Sequence, residues 1–134
     1  RDHAELLAST CAHDDLDAIV SAIARIDARG DRWLLSAQAT LAAGAPGSAR
    51  LGFELQRHAA TLSLAETFRL EFIVALHCAA HGDFAEGIRA LLIDKDRTPH
   101  WQPATLAAAS AAWAAPFFTP PHWPRGQHPL ADLS

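Results

Sequence analysis

Apolar residues recur along most of this chain every three or four positions, and almost nowhere every second one, so its hydrophobic pattern is helical up to the Pro-rich segment that starts at Pro116. Leu16, Ile19, Val20, Ile23 and Ile26 form one stripe, with Asp14 placed to cap the helix and Gly30 to stop it. A shorter helix with Leu6 and Leu7 is predicted before it, from about Asp2 to Thr10. Asp31 caps the next, in which Trp33, Leu34, Ala37 and Leu41 share a side until Gly44, Pro46 and Gly47 break the pattern. From Ser48 a weaker stripe runs through Leu51, Leu55 and Ala59, with Gly52 in mid-helix, where it costs about 1 kcal/mol against Ala unless another helix packs closely on it.

Ser63 and Glu66 form an S-x-x-E capping box opening the most apolar segment, in which Leu64, Phe68, Leu70, Phe72, Ile73, Val74 and Leu76 cover most of the circumference. This predicts a central, most buried helix from Ser63 to Ala80, where Phe68→Ala or Phe72→Ala would cost about 3 to 5 kcal/mol. His81 and Gly82 end it, and Asp83 with Glu86 is read as a second capping pair for a helix bearing Phe84, Ile88, Leu91 and Leu92. Pro99 and Pro103 bound a link, and the Ala-rich run Ala104 to Ala115 predicts a last, broken helix. Five prolines between Pro116 and Pro129 leave an extended tail lying on another surface, with Trp101, Trp113, Phe117, Phe118 and Trp123 as its anchors. The expectation is an all-α bundle of six to eight helices over residues 1–115 and a Pro-rich tail over 116–134.

Composition supports this. Ala fills 30 of 134 positions, which favours helix, and the length allows one domain with a sizeable core. No uncharged apolar run reaches the ~18 to 20 residues of a membrane span. The formal charge of −4 offers no basic field for a phosphate backbone, so neither membrane nor nucleic acid is an expected partner. Cys11 and Cys78 have no metal or disulfide spacing, which with the absence of a leader after Arg1 points to a reducing, cytoplasmic setting and to a fragment of something longer. Ten Arg against one Lys, with the Ala excess, is the usage of a GC-rich bacterial genome.

Local chemistry is sparse. His77 and His81 stand at i and i+4 on one helical face, but Cys78 occupies the position where an HExxH hydrolase has its Glu, and two imidazoles alone do not hold zinc. No nucleophile–base spacing or phosphate-cradling Gly loop occurs, so no catalytic residue and no metal site is assigned. Asp14-Asp15 reads as a helix start, and Asp94-x-Asp96 as solvated charge in a connector.

The most specific string is Glu86-Gly87-Ile88-Arg89-Ala90-Leu91-Leu92-Ile93-Asp94-Lys95-Asp96-Arg97-Thr98-Pro99-His100-Trp101-Gln102-Pro103. It resembles the C-terminal signature of the 3-hydroxyisobutyryl-CoA hydrolase and enoyl-CoA hydratase/isomerase (crotonase) family. Leu70-Glu71-Phe72, Cys78, Asp83-Phe84 and Ala45-Pro46-Gly47-Ser48 extend the likeness over about residues 44–106, while Ile73 replaces an expected Arg and His81-Gly82 inverts a usual Gly-His order.

The resemblance implies a C-terminal helical domain that packs on an N-terminal crotonase core absent from this sequence, possesses no cofactor of its own, and belongs to a parent that takes coenzyme A thioesters as substrate and assembles as a homo-oligomer. In that parent the thioester oxyanion is held by backbone amides upstream of residue 1. It also implies a contact of Lys95 with the CoA adenine or its phosphate. The string has one residue more before its Lys than a typical hydratase, so an uninterrupted α-helix would rotate Lys95 by about 100°. The same amphipathic stripes also suit a free-standing all-helical interaction module without catalysis, which an initiator codon close upstream of Arg1 would mark.

Overall fold

A computed structural model describes residues 3–134, and among them all regular structure is helical: seven α-helices, one π-helical turn and one 3-10 turn. The chain divides after Gly44 into two compact units.

In the first unit, α1 spans Ala4–Thr10, and the part of this helix expected at Asp2 lies outside the described residues. Helix α2, Leu16–Ala24, is capped by Asp15 and not Asp14, because Asp15 has the extended backbone of a cap and its carboxylate accepts the Ala18 N–H at 2.9 Å. It also ends six residues before Gly30. The Arg25 and Ile26 N–H groups turn back to Ala22 and Ile23, and the Gln38 amide donates to the Ile23 and Ile26 carbonyls at 2.8 and 3.0 Å. The open carbonyl end is thereby satisfied from a neighbouring helix. Gly30, at φ 83°, turns the chain into Asp31, whose carboxylate accepts the Trp33 and Leu34 N–H groups, both at 3.0 Å, and starts α3, Arg32–Ala43. Leu16, Ala28 and Leu34 are the buried apolar residues of this unit. The His3 ring stacks on Trp33, with centroids 4.9 Å apart.

The second unit starts with α4, Pro46–Ala59, two residues earlier than Ser48, since Pro46 needs no N–H partner in a first turn. Helix α5, Leu64–Ala80, carries the complete capping box: the Ser63 hydroxyl accepts the Glu66 N–H at 3.3 Å and Glu66 accepts the Ser63 N–H at 2.8 Å. It is not the all-round buried helix that its composition predicts. Only Ile73 and Val74 are buried, while Leu64, Phe68 and Leu76 are 72, 46 and 40% exposed, because this unit supplies neighbours for only part of its circumference. The core instead joins three helices through Leu51 of α4, Val74 of α5 and Ala114 of α7, Ala111–Ala114, with Leu55, Cys78, Trp113 and Phe117 packed around them.

The helix predicted over Ala104–Ala115 is cut to those four residues of α7, followed by a 3-10 turn, Ala115–Phe118. Ser110 is extended and caps the Trp113 N–H, which sets the start of α7 there. The preceding carbonyl of Ala109 accepts from the buried Arg50 side chain at 2.8 Å. The tail beyond lies on α5. Arg69 donates to the carbonyls of Leu130, Ala131 and Leu133, and Trp123 and His128, in contact with each other, both pack against Phe72. His128 Nδ1 accepts the Leu130 N–H, so its Nε2–H donates to the Arg69 carbonyl at 3.1 Å.

Gly52 has no atom within 4 Å of an added Cβ, whereas a Cβ on Gly47 would lie 2.7 Å from the Trp113 ring. The close approach expected at Gly52 is therefore at Gly47. Thermal melts should show Gly52→Ala stabilising by about 0.5 to 1 kcal/mol and Gly47→Ala destabilising by about 1 to 3 kcal/mol. Phe68→Ala, at a half-exposed site, should cost about 1 to 2 kcal/mol, well below the earlier expectation.

Candidate functional site

Helix α6, Asp83–Ile88, starts from Gly82 at φ 93° and has no side-chain cap. The carboxylates expected to cap it reach forward in the chain: Asp83 accepts the Gln102 N–H at 2.6 Å and Glu86 accepts the His100 N–H at 2.7 Å. The loop that folds back over the helix brings its own amides, those of His100 and Gln102, to the two carboxylates, which serve the loop in place of the helix start.

Arg89 is the centre of this arrangement. One turn after Glu86, it binds that carboxylate in a two-pronged contact, Nε and Nη2 each at 2.8 Å. Its Nη1 donates to Asp94 at 2.6 Å and Asp96 at 2.7 Å, and Nη2 reaches the Thr98 carbonyl at 3.2 Å. Asp94-x-Asp96 is thus not the solvated charge expected of a connector; both carboxylates are held by one guanidinium. The chain makes room for this by widening to a π-turn over Arg89–Ile93, closed by the Asp94 N–H on the Arg89 carbonyl at 2.8 Å.

The charges respond accordingly. The Arg89 guanidinium, then the His100 N–H, hold Glu86 down to about 2. Arg89, then the Thr98 N–H, hold Asp96 down to about 2 as well, and the carboxylates, Glu86 first, raise Arg89 above its already high ordinary value.

Beside this clasp lies an apolar cavity of about 690 Å³, bordered by Leu51, Cys78, Ile88, Trp101, Trp113 and Phe117. Burial pushes the Cys78 thiol up, away from the thiolate that nucleophilic chemistry needs. Phe84, Leu91, Leu92 and Ile93 run along the same helical segment at 60 to 69% exposure.

The other residues marked by the sequence are dispersed. His77 donates from Nε2 to the Thr119 carbonyl at 2.9 Å, holding the start of the tail, and its ring centroid is 6.4 Å from that of His81. His81 follows the last turn of α5 in an extended conformation, and its backbone N–H bonds the His77 carbonyl. Among the described residues no group of three His, Cys, Asp or Glu side chains is arranged to hold a metal ion. Lys95 is not on a helix at all: it follows the π-turn at φ 57°, so the 100° helical rotation does not describe its direction.

The hub role of Arg89 was missed in the sequence. Its signal was present, as Glu and Arg three apart on a helix with Asp-x-Asp just beyond, but nothing in that spacing says that the downstream loop returns.

The enoyl-CoA hydratase/isomerase family model matches residues 1–118. Among curated proteins the chain is similar to "3-hydroxyisobutyryl-CoA hydrolase, mitochondrial" from several organisms. That of Danio rerio is 42% identical over 81 residues, 60% of this chain and 21% of the relative. That of Dictyostelium discoideum is 35% identical over 89 residues, 66% and 23%, and that of Xenopus tropicalis 28% over 118 residues, 88% and 30%. The chain therefore spans between a fifth and a third of the length of these relatives. Each is named as mitochondrial, which overturns the cytoplasmic placement read from the cysteines. Unpaired thiols report a redox state and do not distinguish one reducing compartment from another. No helix among the described residues is long and apolar enough to cross a membrane.

Acid should act on the clasp. Glu86 and Asp96 are lowered from ordinary values of 4.5 and 3.8 to about 2, so their contribution is complete above about pH 5 and is lost as pH falls through about 2. Melts of the protein and of Arg89→Gln should differ by a constant amount above about pH 5, and the difference should shrink towards pH 2.

Proposed function

The chain belongs to the enoyl-CoA hydratase/isomerase family, and from that premise we propose that it is the C-terminal helical domain of a CoA-thioester enzyme resembling the 3-hydroxyisobutyryl-CoA hydrolases. Its own part is architectural. It packs against an N-terminal catalytic core, which supplies the backbone amides for the thioester oxyanion, and residues 116–134 strap the domain as a Pro-rich tail. Coenzyme A enters as part of the substrate and not as a resident cofactor.

The observation that carries this reading is the apolar edge formed by Phe84, Leu91, Leu92 and Ile93 beside an open apolar cavity. Four large apolar side chains at 60 to 69% exposure are costly in water and are the mark of a surface built to be covered. The partly bare circumference of α5 points the same way. The parent assembles as a homo-oligomer; it works in mitochondria, the location that the names of the relatives give for those proteins.

To Lys95 we assign this domain's contact with CoA. It is exposed, and its flanking carboxylates are drawn onto Arg89, so the negative field that would oppose a phosphate is reduced.

Assayed side by side for thioester hydrolysis and hydration, the full-length parent should turn over acyl-CoA and this chain alone should not. The chain should co-purify with a separately expressed core, and failure to do so would favour a free-standing interaction module. In the parent, Lys95→Ala should raise KM for acyl-CoA several-fold with kcat little changed, and leave truncated pantetheine thioesters unaffected.

A further inference from the structure

The two ends of the tail are fastened to the helices by groups that respond differently to acid. Where the tail leaves the domain, the His77 Nε2–H bonds the Thr119 carbonyl at 2.9 Å, and the His58 ring packs on Phe118 with centroids 4.9 Å apart. A second proton leaves the His77 contact in place, since an imidazolium still donates from Nε2.

At its far end the tail depends on an acceptor. His128 Nδ1 accepts the Leu130 N–H at 2.9 Å while its Nε2–H bonds the Arg69 carbonyl at 3.1 Å, so both ring nitrogens are committed and the ring is neutral. The rings of Phe72 and Trp123 pack against it at 66° and 69°, with centroids 5.4 and 4.8 Å away. Arg69 Nε holds the carbonyl of the same Leu130 at 2.9 Å, which brings guanidinium and imidazole to a single residue. The other titratable groups of these two packed elements are Glu66, one turn before Arg69 and engaged by Ser63, and in the tail Arg125, Asp132 and the exposed His122. Glu71 of α5 lies about 200° round the helix from Arg69. Two arginines against two carboxylates balance, so a proton on His128 adds a cation with no counter-charge of its own.

We propose that Trp123–Leu133 is an acid-released strap, with His128 as its latch and Thr119–Pro121 as its hinge. Protonation of Nδ1 turns a donor towards the Leu130 N–H and sets a cation beside Arg69. The fold holds the neutral ring, so the fastening is complete at neutral pH and above and is lost as pH falls. What the strap covers gives its release a consequence. Phe68, Phe72 and Leu76 stand at i, i+4 and i+8 on one face of α5, and Phe68 and Leu76 are already exposed. Withdrawing Trp123 and His128 from Phe72 joins the three into one apolar stripe. The latch is independent of the acyl-CoA reading, since neither it nor Arg69 borders the cavity or touches the Arg89 clasp.

Nuclear magnetic resonance on this chain reads both partners of the latch: the hydrogen-exchange protection of the Leu130 amide and the His128 ring nitrogens, between about pH 7.5 and 5.5, where imidazoles take up their second proton. Leu130 protection should fall at least about tenfold, the size of one lost hydrogen bond, in step with protonation of Nδ1. The Thr119 amide, bonded to the Pro116 carbonyl at the hinge, should keep its protection. In His128→Asn, whose side-chain oxygen accepts the Leu130 N–H without titrating, Leu130 protection should stay constant within about twofold. Constant protection in the unmodified chain, a fall that persists in His128→Asn, or a fall at a pH where Nδ1 is still unprotonated would each overturn the latch, and loss of Thr119 protection in the same step would overturn the hinge. If His128→Asn leaves the tail loose at every pH, the match between Leu130 protection and Nδ1 protonation in the unmodified chain decides.

Discussion

The guanidinium of Arg89 is the contact on which the signature region depends. It binds Glu86 with two nitrogens, Asp94 and Asp96 with a third, and the Thr98 carbonyl. Glu86 in turn fixes the loop amide of His100, so one side chain closes a ring of chain from α6 to the link before Trp101. Three carboxylates so close together would repel one another without a cation between them. With Arg89 in place they become ligands, and two of them are held near 2, far below their ordinary values.

That ring explains several local departures from regular structure. Gathering Asp94 and Asp96 onto one nitrogen requires the backbone to widen, and it does so as a π-turn in place of another α-turn. It also requires the next residues to leave the helix abruptly, which puts Lys95 and Arg97 into a backbone region that side chains avoid. Asp83 and Glu86 forgo helix capping for the loop. The result is a rigid returning segment that sets Trp101 against the apolar cavity and leaves Phe84, Leu91, Leu92 and Ile93 facing outward.

A second arginine organises the tail. Arg69 collects the carbonyls of Leu130, Ala131 and Leu133, which have no helix or strand to satisfy them in a Pro-rich segment. Arg50, buried between α4 and the Ala109 carbonyl, does the same for the chain entering α7. In this unit arginines supply the donors that irregular backbone lacks, while small residues let the helices approach, as Gly47 does under Trp113.

Much of the helical layout was determined by the sequence alone. The caps at Asp31 and at Ser63 with Glu66, the breaks around Gly44 and Gly82, and the all-α class depend on local periodicity and on hydrogen bonds spanning three residues, and all were legible there. The signature string likewise marked the family before any geometry was known. Only the tertiary structure decided where helices ended for non-local reasons. Gln38 closes α2 from fifteen residues away, and Ser110 with Arg50 defines how little of the Ala-rich run is helical. The same applies to burial: the apolar circumference of α5 said nothing about which side would be covered by its own unit. For the candidate site, the string showed which residues mattered but not their roles. A charge reads as solvated until the chain returns to meet it, and the contacts from Arg89 to Asp94, Asp96 and Thr98 exist only because the loop folds back.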